Sequence, residues 1–190
     1  MGCDPVLSRV KGRLYFATHL FLLLIASSVA SAQRASEGVE SFRRNRIALV
    51  LGHTHVPAGI DENGKKTWLA LASWGLDYDF RINQDWGLGL HSDLVIQDFE
   101  YEEDEGIVKN RTKPVAIAFV GTRRLGEHFT ILTGGGMEVA PEGTLGLIRI
   151  GTDCGWELPK DWELSLSLMA DFKINAYDAW VLGFGIGKLF

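Results

Sequence analysis

The sequence has few cysteines, a modest basic content and only one long apolar run, which lies near its start. Two cysteines occur in 190 residues, and Cys3 lies in the N-terminal leader described below. Cys154 then has no second cysteine to pair with, which excludes an internal disulfide after the leader is removed. The residues after the leader carry sixteen basic and twenty-three acidic side chains. This acidic balance argues against nucleic acid as a partner.

The first 32 residues predict a cleaved secretory signal peptide. A basic stretch at 9–13 precedes an apolar run at 20–25, and Ala30-Ser31-Ala32 has the small residues of a cleavage site. The apolar run is too short to span a bilayer as a helix, which argues against an N-terminal membrane anchor. We therefore expect a signal peptide over 1–32, a short periplasmic segment over 33–45 and one folded domain over 46–190.

Apolar and polar residues alternate along most of the remaining chain, whereas a helical period is almost absent. In residues 162–173, WELSLSLMADFK, every second residue from Trp162 is apolar and most residues between them are polar. The alternation predicts an all-β fold with eight strands. The predicted strands are 46–56, 67–80, 86–99, 114–123, 129–139, 144–157, 162–173 and 178–190.

The lengths and connections of these strands favour a membrane. Most strands reach the roughly nine to eleven residues that a tilted strand needs to cross the hydrocarbon layer. The tight connections INQD, RLGEH and LPKD contrast with the longer, charged VPAGIDENGKK and EYEEDEGIVKNRTK. Short turns on one rim and longer loops on the other are typical of outer-membrane barrels. Because an unpaired edge is costly in lipid, the last strand is expected to pair with the first. We predict an eight-stranded antiparallel up-and-down transmembrane β-barrel.

Aromatic residues lie beside each tight turn and at the last position of the chain. If the tight turns share one side of the barrel, these rings form an aromatic girdle at one membrane interface. The predicted girdle comprises Phe80, Trp86, Phe129, Trp156, Trp162 and Phe190.

With these features the chain resembles the small bacterial outer-membrane barrels of the OmpA, OmpX and OmpW kind. In that class the final strand, with alternate apolar residues and a terminal aromatic, is recognised by the barrel-assembly machinery. Lys188 departs from the pattern, which prefers an apolar residue two before the end. The residues that match are Trp180, Leu182, Phe184, Ile186 and Phe190. The resemblance implies a monomer in the outer membrane of a Gram-negative bacterium, in contact with outer-membrane lipid and lipopolysaccharide.

An eight-stranded barrel is narrow enough for side chains to fill its interior, which argues against a porin-like pore. Strand parity assigns a polar set to the lumen, where buried acids and bases are expected to pair. This set is Asp77, Asp79, His91, Asp93, Glu138, Arg149, Asp153, Glu163, Asp171 and Lys173. We expect a structural, surface-interaction or small-solute role, with no cofactor and without enzymatic activity.

Two chemical alternatives remain open from the sequence. His53, Ser73, His91 and Asp93 lie on neighbouring predicted strands, and a Ser, His and Asp set would suit acyl transfer in an embedded hydrolase. His53 and His55 project to one side of their strand and are the candidates for a metal-binding barrel. Neither set has a diagnostic spacing.

The acidic loop and the remaining cysteine each allow a simple interpretation. The acids between Glu100 and Glu105 could gather divalent cations, although a charge run in a loop is usually solvated. Cys154 shares its parity with Ile148 and Trp156, and is expected to face lipid as a small apolar residue.

The rival fold is a secreted lipocalin-like barrel that turns its apolar face inward to hold a hydrophobic ligand. The crowding of Trp, Leu and Phe on one face and of charge on the other argues against it.

Overall fold

Antiparallel strands make up most of the chain in a computed structural model that describes residues 42–103 and 106–190. The predicted signal peptide and residues 33–41 of the predicted periplasmic segment lie outside the described residues. The strands are β1 (Asn45–Ile60), β2 (Lys66–Arg81), β3 (Trp86–Val95), β4 (Phe99–Glu102), β5 (Val108–Arg111), β6 (Val115–Leu125), β7 (Phe129–Ala140), β8 (Gly143–Leu158), β9 (Trp162–Lys173) and β10 (Asp178–Leu189).

Eight of these strands form a closed barrel in the order β1-β2-β3-β6-β7-β8-β9-β10. The closing pair joins β10 to β1 in register from Arg46↔Leu189 to His55↔Trp180. At the terminal end of this pair, the Asn45 amide donates to the Phe190 carbonyl at 3.0 Å, and the Phe190 amide donates to the Asn45 carbonyl at 2.9 Å. The predicted fold and the predicted pairing of the last strand with the first are therefore confirmed.

The period-two pattern sets which side chains line the exterior. On β10, Leu182 and Phe184 are 56% and 50% exposed, whereas the intervening glycines are buried in the lumen. The same alternation runs through the other barrel strands, so that the middle of the barrel wall is covered by Leu, Ile, Trp and Phe. An outward apolar band of this kind is the surface that a membrane-spanning barrel presents to lipid. The part of the chain that the structure describes contains no helix long and apolar enough to span a membrane.

The two rims of the barrel differ. The terminal rim holds Asn45, Phe190 and the tight connections 82–85, 126–128 and 159–161. The loop rim holds the connections 61–65, 96–114, 141–142 and 174–177. In outer-membrane barrels, the rim with the short turns is the periplasmic one and the rim with the longer loops is the outer one.

The longest connection on the loop rim folds into a hairpin of β4 and β5, which we call the lid. β4 pairs with β5 and, through Tyr101 and Glu100, with Gly59 and Ile60 at the end of β1. The lid is thus connected to β3 and β6 and reaches across to the loop-rim end of β1. The predicted strand 86–99 is wrong at its end, because the wall strand stops at Val95. The chain then turns away, and the Gln97 side chain accepts from the Ala72 amide at 3.1 Å.

A close approach of β6 and β7 depends on glycine. A Cβ atom added to Gly134 would lie 2.7 Å from Cα of Val120, and one added to Gly136 would lie 2.7 Å from Cα of Ala118. Real Cβ atoms do not approach backbone atoms this closely. Gly135, which faces outward between them, has only an ordinary contact at 3.6 Å with the Leu147 carbonyl oxygen.

Candidate functional site

The lumen near the terminal rim is filled by one arginine and three carboxylates, which we call the terminal cluster. Arg46 projects inward from β1 and contacts Asp79 at 2.9 Å, Asp153 at 3.4 Å and Glu163 at 2.5 Å. Arg81 lies 3.5 Å from Glu163 on the rim side of the cluster. Because Asp153 and Glu163 belong to β8 and β9, the Arg46 side chain bridges strands that are not neighbours in the wall.

The middle of the lumen contains a second set of ion pairs, the central cluster. Arg149 is 1% exposed and contacts Asp171 through two bonds of 2.7 Å. The Nη2 atom that donates to Asp171 also lies 2.6 Å from Asp93. Asp93 lies on β3 and Arg149 on β8, so this pair crosses the lumen from one wall to the other. The His91 ring donates from Nε2 to Asp79 of the terminal cluster at 3.0 Å.

Near the loop rim, the buried carboxylate of Glu138 collects three donors, and we call this group the lid cluster. Arg111 donates to it from the lid at 2.6 and 3.0 Å, and the Tyr177 hydroxyl donates at 2.7 Å. The Lys173 ammonium lies 3.3 Å away. Burial, reinforced by the Glu138 charge, raises the pKa of Tyr177 well above its ordinary value. The hydroxyl therefore remains a donor across the physiological pH range.

Aromatic and aliphatic side chains seal the lumen beneath the lid. Phe99 and Tyr101 from β4 pack on the Tyr177 ring at centroid distances of 5.4 and 4.5 Å. They join Val56 and Leu71 of the barrel wall in one buried apolar cluster. A cavity of about 20 Å³ remains between this seal and the central cluster, and one of about 70 Å³ opens at the terminal rim. These volumes have room for a few water molecules.

Replacing Glu138 by Gln is expected to loosen the lid, because Arg111 would lose its carboxylate partner and Lys173 the nearer of its two in a buried site. We expect the lid to become about tenfold more sensitive to limited proteolysis, measured as the cleavage rate within residues 99–111 in the folded protein. Glu142→Gln is the matched control. Glu142 is exposed and contacts Thr112 next to the lid, so equal sensitization by this variant would contradict the role given to Glu138.

The polar residues assigned to the lumen by parity all lie inside the barrel, and most have ionic partners there. Sequence reasoning missed Arg46, Arg111 and Tyr177. Arg46 has the same strand parity as Gly52 and Thr54, so the alternation of β1 could have placed it in the lumen. Arg111 and Tyr177 lie in segments predicted as loops. The sequence prediction also did not include the apolar side chains that line part of the lumen. The buried apolar residues on the inner wall include Ala116, Ala118, Val120, Leu132, Leu147, Met169 and Val181.

The candidate catalytic residues do not converge. Ser73 is buried in the lumen, where the Thr54 hydroxyl donates to it at 3.0 Å, but His53 is exposed on the outside of the same wall. His53 pairs in register with Ala72, so Ser73 necessarily faces the opposite side of the sheet. His91 is engaged by Asp79, and Asp93 by Arg149.

The candidate metal ligands lie on the exterior. His53 and His55 occupy outward positions on β1. Within residues 42–103 and 106–190, no group of three or more His, Cys, Asp or Glu side chains could hold a metal ion. Cys154 is half-buried and pairs in register with Phe129 and Leu166 of the apolar exterior.

The aromatic residues assigned to the girdle all lie on or beside the terminal rim. Phe129 and Phe190 are 56% and 58% exposed, and Trp156 and Trp162 are also exposed.

The two rims of the barrel differ in charge. The basic side chains of the terminal rim are Arg43, Arg44, Arg81, Arg123, Arg124, Lys160 and Lys188, against the acids Asp85, Glu127, Glu157 and Asp161. The loop rim carries Asp61, Glu62, Asp98, Glu100, Glu102, Glu103 and Glu142 against Lys65, Lys66, Lys109 and Lys113.

Comparison with known proteins places the chain by its fold. No protein-family model and no curated protein matches the sequence. Among solved structures, it is similar to Ail, the attachment invasion locus protein of Yersinia pestis, at 14% identity and a TM-score of 0.50, over 78% of this chain and 100% of that one. Ail in complex with the heparin analogue sucrose octasulfate matches at 16% identity, a TM-score of 0.50 and the same coverage. The outer membrane protein OprG of Pseudomonas aeruginosa matches at 11% identity and a TM-score of 0.53, over 78% and 96%. The fold is that of the small outer-membrane barrels.

Proposed function

We propose that this barrel of the outer-membrane class is a closed, non-conducting protein of the bacterial outer membrane, which holds its lid and loop rim at the cell surface. The observation that carries the proposal is the 2.6 Å ion pair between Arg149 and Asp93, which crosses the lumen. The terminal cluster lies on one side of this pair and the lid cluster on the other. A solute would have to break buried ion pairs at each of these levels, and each break leaves a charge without a partner.

Conductance in a planar lipid bilayer tests this proposal. The purified, folded protein is expected to give no resolved conductance steps in 1 M KCl. Arg46→Ala combined with Arg149→Ala removes the two side chains that bridge the lumen, and Phe99→Ala combined with Tyr177→Ala removes two rings of the seal beneath the lid. The inserted variant with all four changes is expected to give measurable steps. Regular steps from the unaltered protein at similar frequency would contradict a closed lumen and favour a small-solute conduit instead.

The proposed partners follow from the surfaces of the barrel. Outer-membrane lipid would cover the apolar exterior, and lipopolysaccharide would surround the loop rim. The barrel-assembly machinery would engage β10, whose outward residues include Leu182, Phe184 and Ile186 and which Phe190 follows. Ail has a structure with a heparin analogue, but the acidic loop rim of this chain does not complement a polyanion. We therefore do not extend that ligand to this protein.

A further inference from the structure

Two basic side chains on the outside of the terminal rim lie over tryptophan rings. The Arg123 guanidinium is 5.1 Å from the centroid of Trp86, and the Lys188 ammonium is 5.6 Å from the centroid of Trp162. Each pair also joins neighbouring strands in direct register, Trp86 with Arg123 and Trp162 with Lys188. Such pairs hold the cation at the depth of the indole ring, which in membrane proteins is the headgroup level.

The two pairs lie on different sides of the barrel. The first joins β3 to β6 and the second joins β9 to β10, with two or more strands between them in either direction around the wall. They therefore form separate points on a belt rather than one crevice. Beside the second pair, Asp161 is contacted by both Lys188 and Arg43, so one carboxylate is shared by two cations. Lys160 is exposed in the same turn.

The excess of positive charge is confined to this rim, since acids outnumber bases on the loop rim. Lys and Arg near a membrane surface attract anionic lipid headgroups, and the attraction falls off within a Debye length. A phosphate held beside the tryptophan would contact the cation while its acyl chains lie along the apolar wall. A zwitterionic lipid offers the same phosphate but adds an ammonium group that these cations repel.

We propose that the lipid-facing side of the terminal rim binds anionic phospholipids of the adjoining leaflet. The Trp86–Arg123 and Trp162–Lys188 pairs are the contact points for the headgroup phosphates. This inference rests on the membrane location proposed above. It adds a preference for one class of lipid and assigns that preference to particular side chains.

Native mass spectrometry of the folded protein in detergent tests the inference, with equimolar dioleoylphosphatidylglycerol and dioleoylphosphatidylcholine as competing probes. We expect phosphatidylglycerol adducts to exceed phosphatidylcholine adducts about fivefold. Arg123→Gln combined with Lys188→Gln is expected to reduce this ratio to about one. Lys188→Gln alone, which leaves the other pair intact, is expected to give an intermediate ratio. Lys65→Gln combined with Lys66→Gln is the matched control on the loop rim and should leave the ratio unchanged.

A ratio near one in the unaltered protein, or an undiminished ratio in the Arg123 and Lys188 double variant, would overturn the inference. Folding of every variant is checked by its shift on unboiled electrophoresis. Failure of the unaltered protein to fold in detergent or to insert into lipid vesicles would instead contradict the proposed function, so the two failures are distinguishable.

Discussion

Replacing Arg149 by Ala is expected to lower the free energy of unfolding by about 3 to 5 kcal/mol. The side chain is almost completely buried. Its loss leaves Asp93 without an ionic partner inside the barrel and leaves Asp171 with only the longer 3.9 Å ion pair to Lys173. The measurement is urea unfolding of the protein in lipid vesicles, followed by the loss of the shifted band on unboiled electrophoresis.

Two comparisons separate the loss of charge pairing from the loss of volume. Arg124→Ala, at the partly exposed terminal rim, is expected to change the free energy of unfolding by no more than about 0.5 kcal/mol. The triple variant Arg149→Met, Asp93→Leu, Asp171→Leu removes both acids with the base and should recover most of the stability. A loss below about 1 kcal/mol for Arg149→Ala would show that the pair across the lumen does not hold the barrel closed.

Replacing Gly136 by Ala is expected to destabilise the barrel by at least about 1 to 3 kcal/mol and to reduce the yield of folded protein. The added methyl would collide with the backbone of β6 near Ala118, and the atoms there cannot rotate away as a flexible side chain could. The measurement is the fraction of protein that refolds into vesicles and shows the electrophoretic shift.

Gly135→Ala is the matched control, since it adds the same methyl one residue earlier on the outward face. Its only near neighbour is the Leu147 carbonyl oxygen at 3.6 Å, an ordinary contact. We expect this variant to refold as well as the unaltered protein. Equal losses from both substitutions would mean that strand propensity, and not the close approach of β6 and β7, sets the requirement for glycine.

The walls of the barrel were predictable because a strand has a period of two, and a band of lipid imposes apolar residues on one side of it. The predicted strand 162–173 agrees with β9 at both ends. The lid was not predictable in this way. Glu100, Glu102 and Lys109 alternate with Phe99, Tyr101 and Val108 over only four residues in each strand, and such short charged segments are typical of solvated loops.

The candidate site shows a different limit. Whether His53 and Ser73 share a face depends on the register of β1 and β2, and a shift of one residue reverses the answer. The turn between these strands is long enough that the sequence does not fix the register. Arg111 and Tyr177 were missed because their positions depend on the lid and on a turn, where no period assigns a side chain to the inside. Parity thus identifies lumen residues on strands, but not those contributed by connections.

The bridging position of Arg46 has a consequence for how the chain reaches its final form. Arg46 lies on the first strand, whereas its partners Asp153 and Glu163 lie more than a hundred residues later. An unfinished sheet that lacks β8 and β9 would keep this guanidinium without two of its three carboxylates. Insertion of such an incomplete sheet into the hydrocarbon layer gains little free energy, because β1 is stabilised only after β8 and β9 have paired into the sheet. Insertion is therefore coupled to completion of the chain, which disfavours partly assembled forms as resting states.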